Sequence, residues 1–262
     1  MRRGRLQSLK SLGVFLLLFA TFAAFALLYV WHLGKTLRAE ACKTLMEISS
    51  QSVTALHNQI EGDLQTLRNL ADFIGGTEDL SFESNLPILQ EISDKNGFKR
   101  MGIILPDGNV HTTDDVVDNL ADRNYFQRAM LGESVVSDTL SERFGSGAIH
   151  VYAAPIPCRG EIAGVIFATH DEKSYNDSLA VSTFEGRGAS LVVQKDGLLI
   201  AQSEEAGHAL ATESIETARF AAGYSLDQVW EDMQAGLSGT VVYALNGVQK
   251  YLSYTPLGIN GW

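Results

Sequence analysis

Only two cysteines occur in 262 residues, Cys42 and Cys158, so no disulfide framework holds the chain together. Both read as free thiols, Cys42 just beyond an apolar run and Cys158 in the turn-like stretch Pro157-Cys158-Arg159-Gly160. Basic residues are also scarce, 20 Lys+Arg against 31 Asp+Glu, for a net charge of −11. A phosphate backbone needs a basic surface to neutralise it, so no nucleic-acid partner is expected. At 45% apolar and 19% charged, the composition fits neither intrinsic disorder nor a polytopic membrane protein. Chemistry-bearing motifs are missing too. No His/Asp/Glu spacing around His150 or His170 matches a metal site. Gly75-Gly76 and Gly145-Ser146-Gly147 lack the strand–loop–helix setting of a phosphate cradle, and there is no nucleophile elbow. The chain is therefore expected to hold no metal or cofactor and not to be an enzyme.

What the sequence does have is one long apolar run. Between Leu12 and Leu33 the only strongly polar residue is His32. As a helix, residues 12–31 would span about 30 Å, the thickness of a bilayer's hydrocarbon core. Tyr29 and Trp31 fall where an interfacial aromatic belt belongs. A cleavable signal peptide has an apolar core of roughly 7–15 residues with a small-x-small site close behind it. Here the nearest such site, Ala39-Glu40-Ala41, lies well beyond the run, which reads as an uncleaved anchor. Arg2, Arg3, Arg5 and Lys10 precede it with no acid, whereas the rest of the chain has 16 basic against 31 acidic residues, −15. The positive-inside rule then makes 1–11 a cytoplasmic tip and 12–33 the transmembrane helix of an inner or plasma membrane, with 34–262 outside.

Past the anchor, residues 34–74 contain no proline. Leu37, Ala41, Leu45, Ile48, Leu56, Ile60, Leu64, Leu67 and Leu70 recur at helical spacing. This predicts a long helix over 34–76, ended by Gly75-Gly76, whose apolar stripe is either a core-facing seam or a homodimer interface. A short helix near 86–92 follows, then strands 99–105 and 109–113 around the turn Pro106-Asp107-Gly108. Next come a helix at 122–131 and strands at 133–138, 148–156 and 161–170. The same grammar returns over 173–262. Helices are expected at 173–181, 212–222 and 226–234, strands at 189–194 and 198–202, and a hairpin at 240–254 turning on Asn246-Gly247. The fold class is α+β, with two stacked modules over 77–172 and 173–262, each built on an antiparallel sheet.

Several segments carry a family likeness. Asp122-Arg123-Asn124-Tyr125-Phe126-Gln127-Arg128-Ala129, Gly132-Glu133, Val151-Tyr152-Ala153-Ala154-Pro155-Ile156 and Gly160-Glu161-Ile162-Ala163-Gly164-Val165 resemble the membrane-distal module of double Cache (dCache) sensor domains. Phe184-Glu185-Gly186-Arg187-Gly188-Ala189-Ser190-Leu191-Val192-Val193 with Asp196-Gly197 resembles the opening of the proximal module. Its closing strands are resembled by Tyr251-Leu252-Ser253-Tyr254-Thr255-Pro256-Leu257 with Gly261-Trp262. The resemblance covers about residues 35–262. It implies PAS-like modules, ligand capture in the distal one, and an output such as a diguanylate cyclase, phosphodiesterase, histidine kinase or chemoreceptor coil. No second span or output domain lies within the 262 residues, so the expectation is the sensory half of a bacterial receptor. A membrane-anchored envelope hydrolase and a partner-binding structural ectodomain are the alternatives.

A solute sensor needs a few placed polar groups in an apolar cleft. Arg123 suits a carboxylate, and Tyr125 and Phe126 on the same helix would wall the site. Alternation on the strand puts His150, Tyr152 and Ala154 on one face, as pocket lining or as a partly exposed sheet face. Amino-acid-binding relatives resemble Arg-x-Trp-Tyr in the helix and place an Asp on the final strand, a position that falls here on Thr169. Without that carboxylate a zwitterion loses half its clamp, so a simple amino acid is disfavoured and a carboxylate or other small anion is expected. Asp171, Arg143 and Asp138 complete the candidates.

Overall fold

The computed structural model describes residues 2–137, 140–141, 148–179, 188–194, 199–203, 219–220, 226–245 and 248–260. The anchor and the long helix are one element, α1 (Arg2–Thr77), 76 residues and roughly 114 Å of unbroken helix. No proline interrupts it. This is one helix long and apolar enough to cross a membrane, and Phe15, Phe19, Phe22, Leu28 and Trp31 along it stand exposed. Further along, Leu56, Ile60, Leu64, Leu67, Leu70, Ala71 and Ile74 are buried in the domain's main apolar cluster. Burying each of the larger side chains stabilises by about 1.5–3 kcal/mol relative to exposure. The predicted stripe is thus core-facing over Leu56–Leu70, and that stretch is not available to a second copy. Leu37 remains exposed near the anchor.

After α2 (Phe82–Asn96), seven antiparallel strands form the distal sheet: β1 (Arg100–Ile104), β2 (Asn109–Thr112), β3 (Val117–Asn119), β4 (Val135–Val136), β5 (Leu140–Ser141), β6 (Ala148–Cys158) and β7 (Glu161–Asp171). Their order is β3-β2-β1-β7-β6-β4, with β5 also on β6. Pro106-Asp107-Gly108 closes the β1–β2 hairpin as expected, and Arg159-Gly160, both at positive φ (53° and 85°), close β6–β7. Two apolar layers flank the sheet. One holds α1 and α2 against Met101, Ile103, Tyr152, Ala154, Ile156, Ile166 and Ala168. The other holds α3 (Asn124–Met130) against Ile104, Val110, Val151, Ala153, Val165 and Phe167.

In the second module a 3-10 turn (Glu172–Tyr175) and α4 (Asn176–Leu179) lead to the ribbon of β8 (Leu191–Val193) and β9 (Leu199–Gln202). A three-stranded sheet follows in the order β10 (Arg219–Phe220), β11 (Gly239–Leu245), β12 (Val248–Tyr254), with α5 (Leu226–Gln234) packing Val229 and Met233 on Val241, Leu252 and Tyr254. The helix expected over 212–222 is a strand at its described residues. Arg219 and Phe220 pair with Ala244 and Tyr243, so cross-strand pairing outweighs local helix propensity there. The Asn246-Gly247 turn lies outside the described residues. Helix α1 threads both modules, since Ser49 donates to Thr255 at 2.8 Å and Ile200, Ala201 and Leu257 join the cluster around Leu56 and Ile60.

At the far end of α1, Gly75 lies against the β6 backbone. A Cβ there would sit 1.9 Å from the Pro157 carbonyl oxygen, whereas one on Gly76 meets nothing within 4 Å. Gly75→Ala is expected to destabilise by at least about 2 kcal/mol, from backbone overpacking. Gly76→Ala should change stability by no more than about 1 kcal/mol, the helix-propensity difference. Denaturant unfolding of the full chain in detergent, followed by tryptophan fluorescence, measures both.

Candidate ligand site

Alternation along the central strands aims Arg100, Gly102 and Ile104 of β1, with Val165, Phe167 and Thr169 of β7, at the face that carries α3. Gly102 is needed here, because a Cβ would lie 2.8 Å from the Phe167 ring and 2.7 Å from the His111 carbonyl oxygen. Tyr125, Phe126 and Ala129 of α3 press onto this apolar part.

One register row further along β1 the face turns polar. Arg100 pairs with Thr169, and Thr169 with Val151. The Val151 amide donates to Ser137 Oγ at 3.0 Å. On the other side Arg100 Nε lies 2.7 and 2.8 Å from the two Asp114 oxygens and Nη2 lies 2.5 Å from Oδ2. Thr112 Oγ1 donates to Asp114 Oδ1 at 2.6 Å. The Arg100 side chain is 6% exposed and that of Asp114 40%. Partial burial pushes the Asp114 carboxyl up, but the Arg100 and Thr112 hydrogen bonds and the guanidinium charge outweigh it and hold it below the usual carboxylate range.

Arg123 stands at the N-cap of α3, half-buried, without a side-chain capping bond. Arg68, Arg100, Arg128 and Arg159 each pair with a carboxylate, whereas Arg123 has no such partner among the described residues.

His150 and Tyr152 lie on the opposite face, against α1. The strand alternation is as expected, but this polar set meets neither solvent nor the α3 layer. Tyr152 and Tyr175 share a hydroxyl–hydroxyl bond of 2.7 Å, and His170 Nε2 lies 3.0 Å from Asp63 Oδ2 of α1. The Tyr152 ring meets His170 edge-on at 5.4 Å, as the Tyr175 ring meets His150. Burial drives the His150 pKa down to about 4, with a small opposing effect of its hydrogen bond to the Ile200 backbone. Burial also raises both phenols well above their ordinary range.

The nine candidates therefore divide. Arg123, Tyr125, Phe126 and Thr169 share the α3 face, and His150 and Tyr152 face α1. Asp171 accepts from the Ser174 amide and hydroxyl at 3.1 and 3.0 Å, holding the turn after β7. Arg143 and Asp138 lie outside the described residues. Sequence reading missed Arg100, Asp114 and Ser137. The available signal was Arg100 itself, the one charge in the otherwise apolar strand 100–104. Among the described residues no cluster of three or more His, Cys, Asp or Glu could hold a metal ion.

No protein-family model and no curated protein matches the chain. Solved structures do. The sensory domain of the Campylobacter jejuni chemoreceptor Tlp3 with isoleucine bound superposes at a TM-score of 0.62 and 12% identity, covering 83% of this chain and 88% of that one. The fold is that of a double Cache sensor domain. The ligand-binding domain of the Pseudomonas aeruginosa amino-acid chemoreceptor PctC, in complex with GABA, has the same dCache architecture (TM-score 0.59, 15% identity, 83% and 94% covered). So does the extracellular domain of mmHK1S-Z2, described as a histidine kinase (TM-score 0.60, 15% identity, 82% and 92% covered).

The buried His150 makes the domain acid-sensitive. Its folded pKa of about 4 lies below the ordinary 6.5, so between those values the unfolded chain binds a proton that the folded chain refuses. Stability is intact above pH 6.5 and falls as pH drops towards 4, by about 3 kcal/mol from this group. Unfolding midpoints from pH 7 to 4 should show that loss in the native chain and a shallower acid limb in His150→Gln.

Proposed function

We propose that the protein is the sensing part of a membrane receptor, anchored by the start of α1 with residues 34–262 outside the cell. It would bind a small carboxylate-bearing solute on the α3 face of the distal module, acting as a binding module and not as an enzyme. The observation that carries the reading is Arg123, a half-buried guanidinium without a carboxylate partner among the described residues, beside Tyr125 and Phe126 on the helix that covers this face. The basic tip before the apolar run supports the orientation. Neighbours with isoleucine, L-valine and GABA bound support the ligand class. They give no support to the expectation that a simple amino acid is disfavoured, so the class extends to carboxylates with or without an amine.

Ligand binding would bias how the modules sit on α1, a shift that requires different affinities for two states. In a homodimer the signal would pass through the outer face of the helix, with Thr54, Asn58, Gln65 and Asn69 exposed, since the stripe Leu56–Leu70 is used within the chain. The output would be a diguanylate cyclase or phosphodiesterase, or a histidine kinase, as the family resemblance implies.

Thermal unfolding of the full chain in nanodiscs, with L-isoleucine, L-valine, GABA and succinate as probes, tests the reading. A true ligand at 100 times its Kd stabilises by about 2.7 kcal/mol. For a domain of this size that raises Tm by roughly 2–4 °C. Arg123→Ala should remove the shift. A probe that shifts Arg123→Ala as it shifts the native chain would show that the site lies elsewhere.

A further inference from the structure

We propose that Arg100 is a second anion-binding point of this site, kept occupied by Asp114 until an anionic group of the ligand displaces it. The proposal rests on the reading of the α3 face as the ligand site and names what that site takes: a small solute with an anionic group at each end, a dicarboxylate.

A guanidinium as buried as Arg100 requires a counter-charge. Asp114 supplies one in the side-on, two-oxygen geometry that a ligand carboxylate would use. The two partners differ in standing. Arg100 is fixed in a central strand, between β2 and β7. Asp114, with a side chain 40% exposed, belongs to the turn between β2 and β3, where Asp115 adopts a positive φ of 62°. Thr112 holds this turn through its hydroxyl, which also accepts from the Val116 amide at 3.0 Å. Because Arg100 keeps Asp114 ionised, exchange at neutral pH would proceed by one carboxylate displacing another and not by protonation.

Neighbouring groups suit an incoming anion. Thr169 lies directly across from Arg100 on β7, where the resemblance to amino-acid-binding relatives would put a repelling aspartate. Ser137 stands on the same row beyond Val151. The other cation is at the far end of the face. The Arg123 amide donates to the Leu120 carbonyl, and the Leu120 amide donates to that of Gly108, beside the Ile104 end of β1. Four residues of strand, about 13 Å, separate Ile104 from Arg100. Arg123 and Arg100 thus stand at opposite ends of this face, so a solute held by both would carry an anionic group at each end.

Calorimetric titration of the full chain in nanodiscs with succinate, propionate and L-isoleucine tests this. Removing an internal competitor that occupies about nine-tenths of the sites should tighten binding about tenfold. Asp114→Asn is therefore expected to bind succinate about tenfold more tightly, and Arg100→Gln to lose it. Propionate, with one carboxylate, should respond much less to Asp114→Asn. Thr112→Val loosens Asp114 without changing a charge, and should also tighten succinate binding if Asp114→Asn fails to fold. Unchanged or weaker succinate binding in both variants overturns the proposal, as does absence of succinate binding in the native chain and both variants. Loss of L-isoleucine binding in Asp114→Asn would make Asp114 the ammonium acceptor, overturning the proposal but leaving the sensor reading intact. Undiminished succinate binding in Arg123→Ala would instead overturn the assignment under which the solute sits against α3.

Discussion

Burial of one stripe of α1 against the distal sheet is the constraint on which the rest of the structure depends. Leu56, Leu67, Leu70 and Ile74 lie at spacings of three, four and eleven residues, so they share one side of the helix and enter one core with Tyr152, Ile156, Ile166 and Ala168. That contact joins the long apolar helix to the sheet, and through Leu257, Ile200 and Ala201 it joins the second module to the same helix. Gly75 then brings the helix so close to the Pro157 backbone that a methyl group would not fit between them.

Strand β7 links the two layers. With a side-chain period of two, Thr169 faces the α3 layer, and His170, the next residue, faces α1 and meets Asp63. A displacement of the strand on the α3 face is therefore felt within one residue at the helix. The buried neutral His150 and the Tyr152–Tyr175 hydroxyl pair surround that contact, giving the interface a polar centre inside an apolar frame. Such a centre has few satisfactory arrangements, because each buried polar group must keep its partner.

Much of this was readable in the sequence, for reasons that differ by element. Helix α1 follows from apolar spacing without proline, and the β1–β2 hairpin from Pro106-Asp107-Gly108, both local signals. The faces of β6 also followed from alternation, but which face would meet α1 did not. That choice depends on packing between residues a hundred positions apart, such as Asp63 and His170. The same holds for Arg219-Phe220, whose strand exists through Ala244 and Tyr243. Of the residues on the α3 side, Arg123, Tyr125 and Phe126 are marked by resemblance. Arg100 is not, because its meaning comes from Asp114 and Thr169, which flank it only once the sheet has formed.

The unbroken course of α1 limits how a message could travel along it. Successive residues are about 100° apart around a helix, so sliding the stripe by one position would turn the apolar side chains out of the core. Slippage between helix and sheet is therefore closed to this molecule, and no proline within α1 kinks it. What remains open is motion of the rod together with the sheet packed on it, above all a tilt. A tilt of only about 5° over roughly 60 Å would carry the apolar end about 5 Å sideways. Helix α1 is built as a lever whose short arm is the contact with β7 and whose long arm is the apolar run.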